Sequence, residues 1–242
     1  MPKSFSARMF VALIIISGLL VFGDAALNAG SMPTLRFAAF LLAACLAARL
    51  KIKLPGLTGN MSVNMPFILV AVAEMNSAEA LAVGFISTFV QCLHKGKKFS
   101  LAQTAFNCSV IALAVAATRL IYTAPSIASV ISSPSLRLAV AAAGYAMANT
   151  VPVAIVIGLT EAVSMVRIWL EMQQLSFPYV VASAGIAGVT LTLTQGIGWQ
   201  APLVVLPIMV GIFQSYRRYF AATLTKVVTA QAPNRVAAGA NA

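Results

Sequence analysis

The chain has 242 residues, 60% of them hydrophobic and only 9% charged, with a mean hydropathy of +0.93. A water-soluble domain carries about a quarter of its residues charged, so this composition excludes one and points to a polytopic membrane protein. The formal net charge of +11 arises from 16 Lys and Arg against 5 Asp and Glu. The cations are dispersed through short gaps between apolar runs and form no single basic face or arm, which argues against nucleic acid and for membrane topology with anionic lipid headgroups.

Apolar runs long enough, or nearly so, to cross a hydrocarbon core at about 1.5 Å per residue are expected at 9–29, 34–50, 60–75, 77–93, 101–122, 136–159, 176–195 and 200–216. They predict an all-α transmembrane bundle of eight spans with both termini in the cytoplasm. The first run follows Lys3 and Arg8 and extends to about Ala29 without an A-x-A cleavage site after it, so it reads as a retained anchor in preference to a signal peptide. The second leads into the basic segment Arg49 to Asn60, where Pro55, Gly56 and Gly59 set a tight turn. Lys51 and Lys53 there can meet phosphate headgroups, and the amides around Gly56 and Gly59 can hold an anion; a plain turn accounts for the same residues. The third and fourth runs are short and meet at the polar stretch Glu74 to Glu79, so six spans plus a re-entrant hairpin is the alternative architecture.

Further along, Pro125 and Pro134 bracket an external loop. Glu161 to Gln174 interleaves Val163, Val166, Ile168 and Trp169 with Ser164, Arg167 and Glu171, a mixture expected of an interfacial helix on the cytoplasmic surface. Residues 1–222 read as one membrane domain, and the segment 223–242 lacks a hydrophobic pattern and is expected to be a disordered cytoplasmic tail. With this threading, every Lys and Arg except Arg36, Arg119 and Arg137 falls on the cytoplasmic side, a strong positive-inside bias.

The residues that could carry chemistry are few. Cys45, Cys92 and Cys108 lie far apart without a C-x-x-C pair, and His94 is the only histidine, so neither a metal site nor a cofactor is expected. Of the five acids, Glu79, Glu161 and Glu171 sit where turns, water or Arg167 satisfy them. Asp24 and Glu74 come nearer the apolar interior, where an ionised side chain costs at least about 2.5–3.5 kcal/mol unless paired or hydrated. They are candidates for holding a ligand, an ion or a proton, against the plainer reading of a span end and a hairpin cap. Asn64, Asn107 and Asn149 fall in or near spans, where an amide either joins helices or faces a polar cavity. No G-x-S-x-G, P-loop, H-E-x-x-H or aspartate-rich motif occurs, so no enzymatic activity is expected.

The L-P-G-x-T-G turn at Leu54 to Gly59 is one of several features that together carry a resemblance. The others are Phe106-Asn107 following Lys97 and Lys98, Asn149, Glu161, Phe177-Pro178-Tyr179 and Tyr216-Arg217-Arg218-Tyr219. In arrangement, over most of residues 34–220, the chain resembles the multi-span sensor-like membrane region that precedes GGDEF or HD-GYP domains in bacteria. The resemblance implies a multi-pass protein of the bacterial inner membrane that binds a ligand or partner without catalysis. Such regions pass a signal to a cytoplasmic catalytic domain; none follows the eighth span here, so a free-standing unit acting on a separate membrane or cytoplasmic partner protein is expected. The chain is also similar in size and basicity to the small substrate-binding subunits of vitamin uptake systems, which implies a small-molecule transporter component as the alternative. A structural subunit of a membrane complex is the third reading.

Overall fold

The computed structural model describes residues 5–30, 34–53, 60–93, 100–200, 205–215 and 217–218. They fold as helices α1 (Phe5–Leu27), α2 (Thr34–Arg49), α3 (Met65–Glu74), α4 (Ser77–Cys92), α5 (Leu101–Thr123), α6 (Pro125–Val130), α7 (Pro134–Glu161), α8 (Met165–Ile197) and α9 (Val205–Ser215). The only strands among the described residues are β1 (Lys51–Lys53) and β2 (Asn60–Ser62), paired antiparallel with Lys51 opposite Ser62 and Lys53 opposite Asn60. Four helices, α1, α5, α7 and α8, contain stretches long and apolar enough to cross a membrane. The protein is therefore a helical membrane protein. Residues 54–59, which include Gly56 and Gly59, and the tail from 219 onward lie outside the described residues.

Side-chain caps set several helix starts. Ser100, Ser133 and Ser164 each accept from the amide three residues on, at Gln103, Leu136 and Arg167, which occupies an amide that the first turn otherwise leaves unpaired. Asn76 and Glu79 form a reciprocal capping box, Glu79 N to Asn76 Oδ1 at 2.9 Å and Asn76 N to Glu79 Oε2 at 3.0 Å. That pairing lies at the turn from α3 into α4 and occupies the Glu79 carboxylate.

The centre of the bundle is α3. Met65 through Val72 are all buried, and the helix is surrounded by α2, α4, α5, α7 and α8. A helix that is apolar on every side is stable only when enclosed. Small residues bring the surrounding helices together, in the manner of membrane bundles: a Cβ added to Gly18 of α1 would stand 2.5 Å from Ser109 Cβ on α5.

Two expected elements take a different form. The run at 60–75 begins as strand β2, and its helix starts only at Met65 with Pro66 in the first turn. Proline fits a first helical turn, where its missing N–H would be unpaired in any case, so Pro66 is placed at the start of the helix and not within it. The segment 161–174 is not a separate interfacial helix. Ala162, in the left-handed region at φ 54°, ends α7, and Met165 opens a helix of 33 residues that continues through Pro178 to Ile197. Trp169 Nε1 and Gln173 Nε2 both donate to Thr150 Oγ1 of α7, at 3.2 and 3.3 Å. Two polar groups of this segment are thus spent on the neighbouring helix. At about 50 Å, α8 exceeds a hydrocarbon core of about 30 Å, and the exposed pair Arg167–Glu171, 3.1 Å apart, lies in its first turns.

Candidate functional site

Because α3 has only ten residues, about 15 Å of helix, both its ends fall beside other helices, and polar side chains collect at each. At its start, Asn64 makes no side-chain cap and reaches across to α4, where Asn64 Nδ2 donates to Ser87 Oγ at 3.0 Å. Ser87 Oγ in turn donates to Gly84 O at 3.2 Å. The Met65 amide, one of the four that a helix start leaves over, donates to the Tyr179 hydroxyl of α8 at 3.2 Å. Asn64, Ser87 and Tyr179 are all buried, as is Tyr145 of α7, which lies within electrostatic reach of Tyr179. One turn beyond Tyr179 on α8, the fully buried Ser183 hydroxyl has no hydrogen-bond partner among the described residues; nor has the Thr88 hydroxyl beside Ser87.

At the other end, Glu74 Oε2 accepts from Arg36 Nη2 of α2 at 2.6 Å. Arg119 Nη1 of α5 donates to Val72 O at 3.0 Å and to Met75 O at 2.6 Å. These carbonyls belong to the last turn, where the helix leaves acceptors unpaired and carries partial negative charge. The Arg137 guanidinium of α7 lies 5.4 Å from the ring centroid of Tyr122 on α5, a cation–π contact. Tyr122 stands one helical turn along α5 from Arg119, so the three arginines expected on the sparsely charged side lie towards the same end of the bundle.

The polar residues singled out from the sequence do not converge. Asn64 and Glu74 stand at opposite ends of α3. Asn107 on α5 donates to Cys92 Sγ of α4 at 3.7 Å, a contact that joins two helices. Asn149 is half-buried on α7 without a hydrogen bond among the described residues, and its neighbour Thr150 receives Trp169 and Gln173 instead. Asp24, expected near the apolar interior, is exposed in the last turn of α1 and accepts from Asn28 Nδ2 at 3.2 Å. The reason is helical spacing: Asp24 follows the inward-facing Gly18 by six residues and precedes the buried Ala25, so it points off the packed stripe. Lys51 Nζ donates to Gln91 O and ties β1 to the end of α4. Lys53 closes β1 opposite Asn60.

Ser87, Tyr179, Arg36 and Arg119 were not among the expected site residues. The arginines had a usable signal in their position on the sparsely charged side; Ser87 and Tyr179 had none. Among the described residues no group of three or more His, Cys, Asp or Glu could hold a metal ion. A groove of about 640 Å3 runs between α7 and α8, lined by Leu136, Ala139, Phe177, Val181 and Gly185 among others, and its apolar walls offer no polar anchor comparable to the ends of α3.

No protein-family model, no curated protein and no solved structure matches this chain. The fold and the two polar clusters define a helical membrane protein built around a short buried helix.

Proposed function

We propose that the protein is a non-catalytic, sensor-like binding domain of the bacterial inner membrane, taking a small or lipidic ligand or a partner membrane protein through polar groups between its helices. One observation carries the reading: the start of α3 is buried against α4 and α8 and meets the polar side chains Asn64, Ser87 and Tyr179. Apolar side chains would enclose a purely structural helix at lower cost, since polar groups in a membrane interior must each find a partner. The unpartnered hydroxyls of Thr88 and Ser183 close by add acceptors and donors for a bound molecule.

Eight crossings with both termini in the cytoplasm belong to the same reading. Arg119 lies 18 residues into α5, about 27 Å from its start, yet it reaches the carbonyl of Met75 at the α3–α4 turn. That depth supports a turn at the far membrane face over a re-entrant hairpin turning near the midplane. The Arg49–Lys53 hairpin then faces the cytoplasm with anionic lipids, and a separate protein partner would meet that side.

Native mass spectrometry of the full chain, gently extracted from its own membrane, tests the proposal. The expected result is a bound small molecule or a stoichiometric protein partner that N64L and Y179F lose while remaining folded; retention of the same species by both variants would count against the site. A second reading, a transporter component, is favoured by the ten-residue length of the enclosed α3, because transporters build their sites from half-length helices. Uptake into proteoliposomes that E74Q abolishes would establish it in place of the first.

A further inference from the structure

The arginine cluster at the end of α3 goes beyond that reading, because it lies at the opposite end of the helix from Asn64 and Tyr179 and stands on separate observations. Arg36 pairs with Glu74, Arg119 donates to the α3 carbonyls beside it, and Arg137 lies over Tyr122, one helical turn along α5 from Arg119. Two other acids lie near the same end of the bundle and are already engaged: Glu79 with the Asn76 amide and Asp24 with Asn28. Among the described residues only Arg36 of the three has a carboxylate partner, and Arg119 and Arg137 have none, at the ends of apolar helices where an unpaired charge is unfavourable.

The donors point the same way. Arg119 spends Nη1 on the α3 carbonyls, and Arg36 spends Nη2 on Glu74. The Nε atoms of Arg36 and Arg137 are buried, shut off from bulk water, and have no hydrogen-bond partner among the described residues. A buried donor without an acceptor is rare and costly. The Nε edge of a guanidinium is also the edge that presents paired N–H groups to a planar or tetrahedral oxyanion. One such edge, on Arg36 of α2, lies at the Glu74 end of α3, and the contact with Tyr122 holds the other, on Arg137 of α7, one turn along α5 from Arg119.

We propose that Arg36 and Arg137, with Arg119 behind them, form a binding site for a phosphate group at the membrane face opposite the Lys51 hairpin. A phosphate carries up to two negative charges and so matches the two arginines that have no carboxylate partner among the described residues. The same chemistry is offered by a phospholipid headgroup and by soluble phosphate. In either case Glu74 competes with the ligand for Arg36.

The test uses the full chain in nanodiscs. Inorganic phosphate is titrated at constant ionic strength into discs of phosphatidylcholine alone, and native mass spectrometry counts phosphatidylglycerol or phosphatidic acid retained from mixed discs. Saturable phosphate binding in the zwitterionic discs identifies a soluble source; selective retention of the anionic lipids identifies a headgroup. In the arm that responds, the R36Q/R137Q double variant is expected to weaken binding at least tenfold. E74Q is expected to tighten it severalfold, since it removes the competing carboxylate. R137K keeps the charge and loses the fork, so a several-fold loss in that variant preserves the test if the double variant is not monodisperse. Binding in neither arm, equal affinity in R137K and the parent, or weaker binding in E74Q would overturn the proposal.

Discussion

The closeness of α1 and α5 gives a sharp steric prediction. Gly18 is buried, and a Cβ built there stands 2.5 Å from Ser109 Cβ, 2.7 Å from Ser109 Cα and 2.8 Å from Ser109 Oγ. Carbon atoms rest at about 3.5–4.0 Å, so Gly18→Ala forces the helices apart by roughly 1 Å. A rotamer change cannot relieve the clash, because one of the opposing atoms is backbone. Overpacking of this kind costs about 1–3 kcal/mol.

The appropriate control is on the same helix. Gly23 has nothing within 4 Å of the corresponding Cβ position, so Gly23→Ala brings only the helix-propensity gain, at most about 1 kcal/mol. Both substitutions share that gain, and their difference isolates the steric term. At about 2–4 °C per kcal/mol for a chain of this size, Gly18→Ala should melt roughly 2–12 °C below Gly23→Ala in mild detergent. The assay is thermal unfolding followed by size-exclusion recovery of the folded protein. Equal midpoints, or a higher one for Gly18→Ala, would refute the packing of α1 on α5.

Other substitutions probe the ends of α3 and the turns around it by the same melt. Tyr179→Phe leaves the Met65 amide without its acceptor in a buried place and should destabilise by about 1–3 kcal/mol; a neutral result would mean the amide has another partner. Arg119→Met withdraws a charged donor from two carbonyls of the α3 terminus and should cost about 2–4 kcal/mol, more than Tyr179→Phe. Asn76→Ala removes half of the capping box and should cost about 1 kcal/mol, with a much larger loss indicating a role beyond the turn. Arg167→Ala breaks an exposed pair one helical turn apart and should change stability by no more than about 0.5 kcal/mol; a larger effect would place that segment against another surface.

Much of the helical framework was legible because charge and polarity stop apolar helices at defined places. Arg49 ends α2, Lys97 and Lys98 precede α5, and the polar stretch Glu74 to Glu79 separates α3 from α4. The continuation of α8 back to Met165 was not legible, because the polar residues that suggest a membrane surface are equally suited to hydrogen bonding with α7, and only tertiary structure places Thr150 opposite Trp169. The site was less readable still. Asn64 could be named from its position, but its partners Ser87 and Tyr179 lie 23 and 114 residues away from the groups they bind. Glu74 meets Arg36 across 38 residues and the neighbouring carbonyls meet Arg119 across more than 40. Chain separations of that size leave no periodic trace. The one available sign was electrostatic: Arg36, Arg119 and Arg137 are the cations that the expected threading leaves on the sparsely charged side.

That placement bears on why α3 is short. A continuous apolar span satisfies its own backbone and exposes polar termini only to the headgroups, whereas a ten-residue helix leaves amides at one end and carbonyls at the other within reach of its neighbours. Here both sets are answered from outside the helix, by Tyr179 at the start and by Arg119 at the end. A longer α3 would make those partners unnecessary and would remove the places where Asn64 and Glu74 now stand. The helix dipole is aligned with this arrangement, its partial negative end meeting Arg119 and its partial positive end meeting the Tyr179 hydroxyl oxygen. A ligand that engaged either end would compete with contacts that hold α3 against α5 or α8. Binding at one end would then alter the seating of the same rigid element at the other, which is the physical requirement for a coupled sensor.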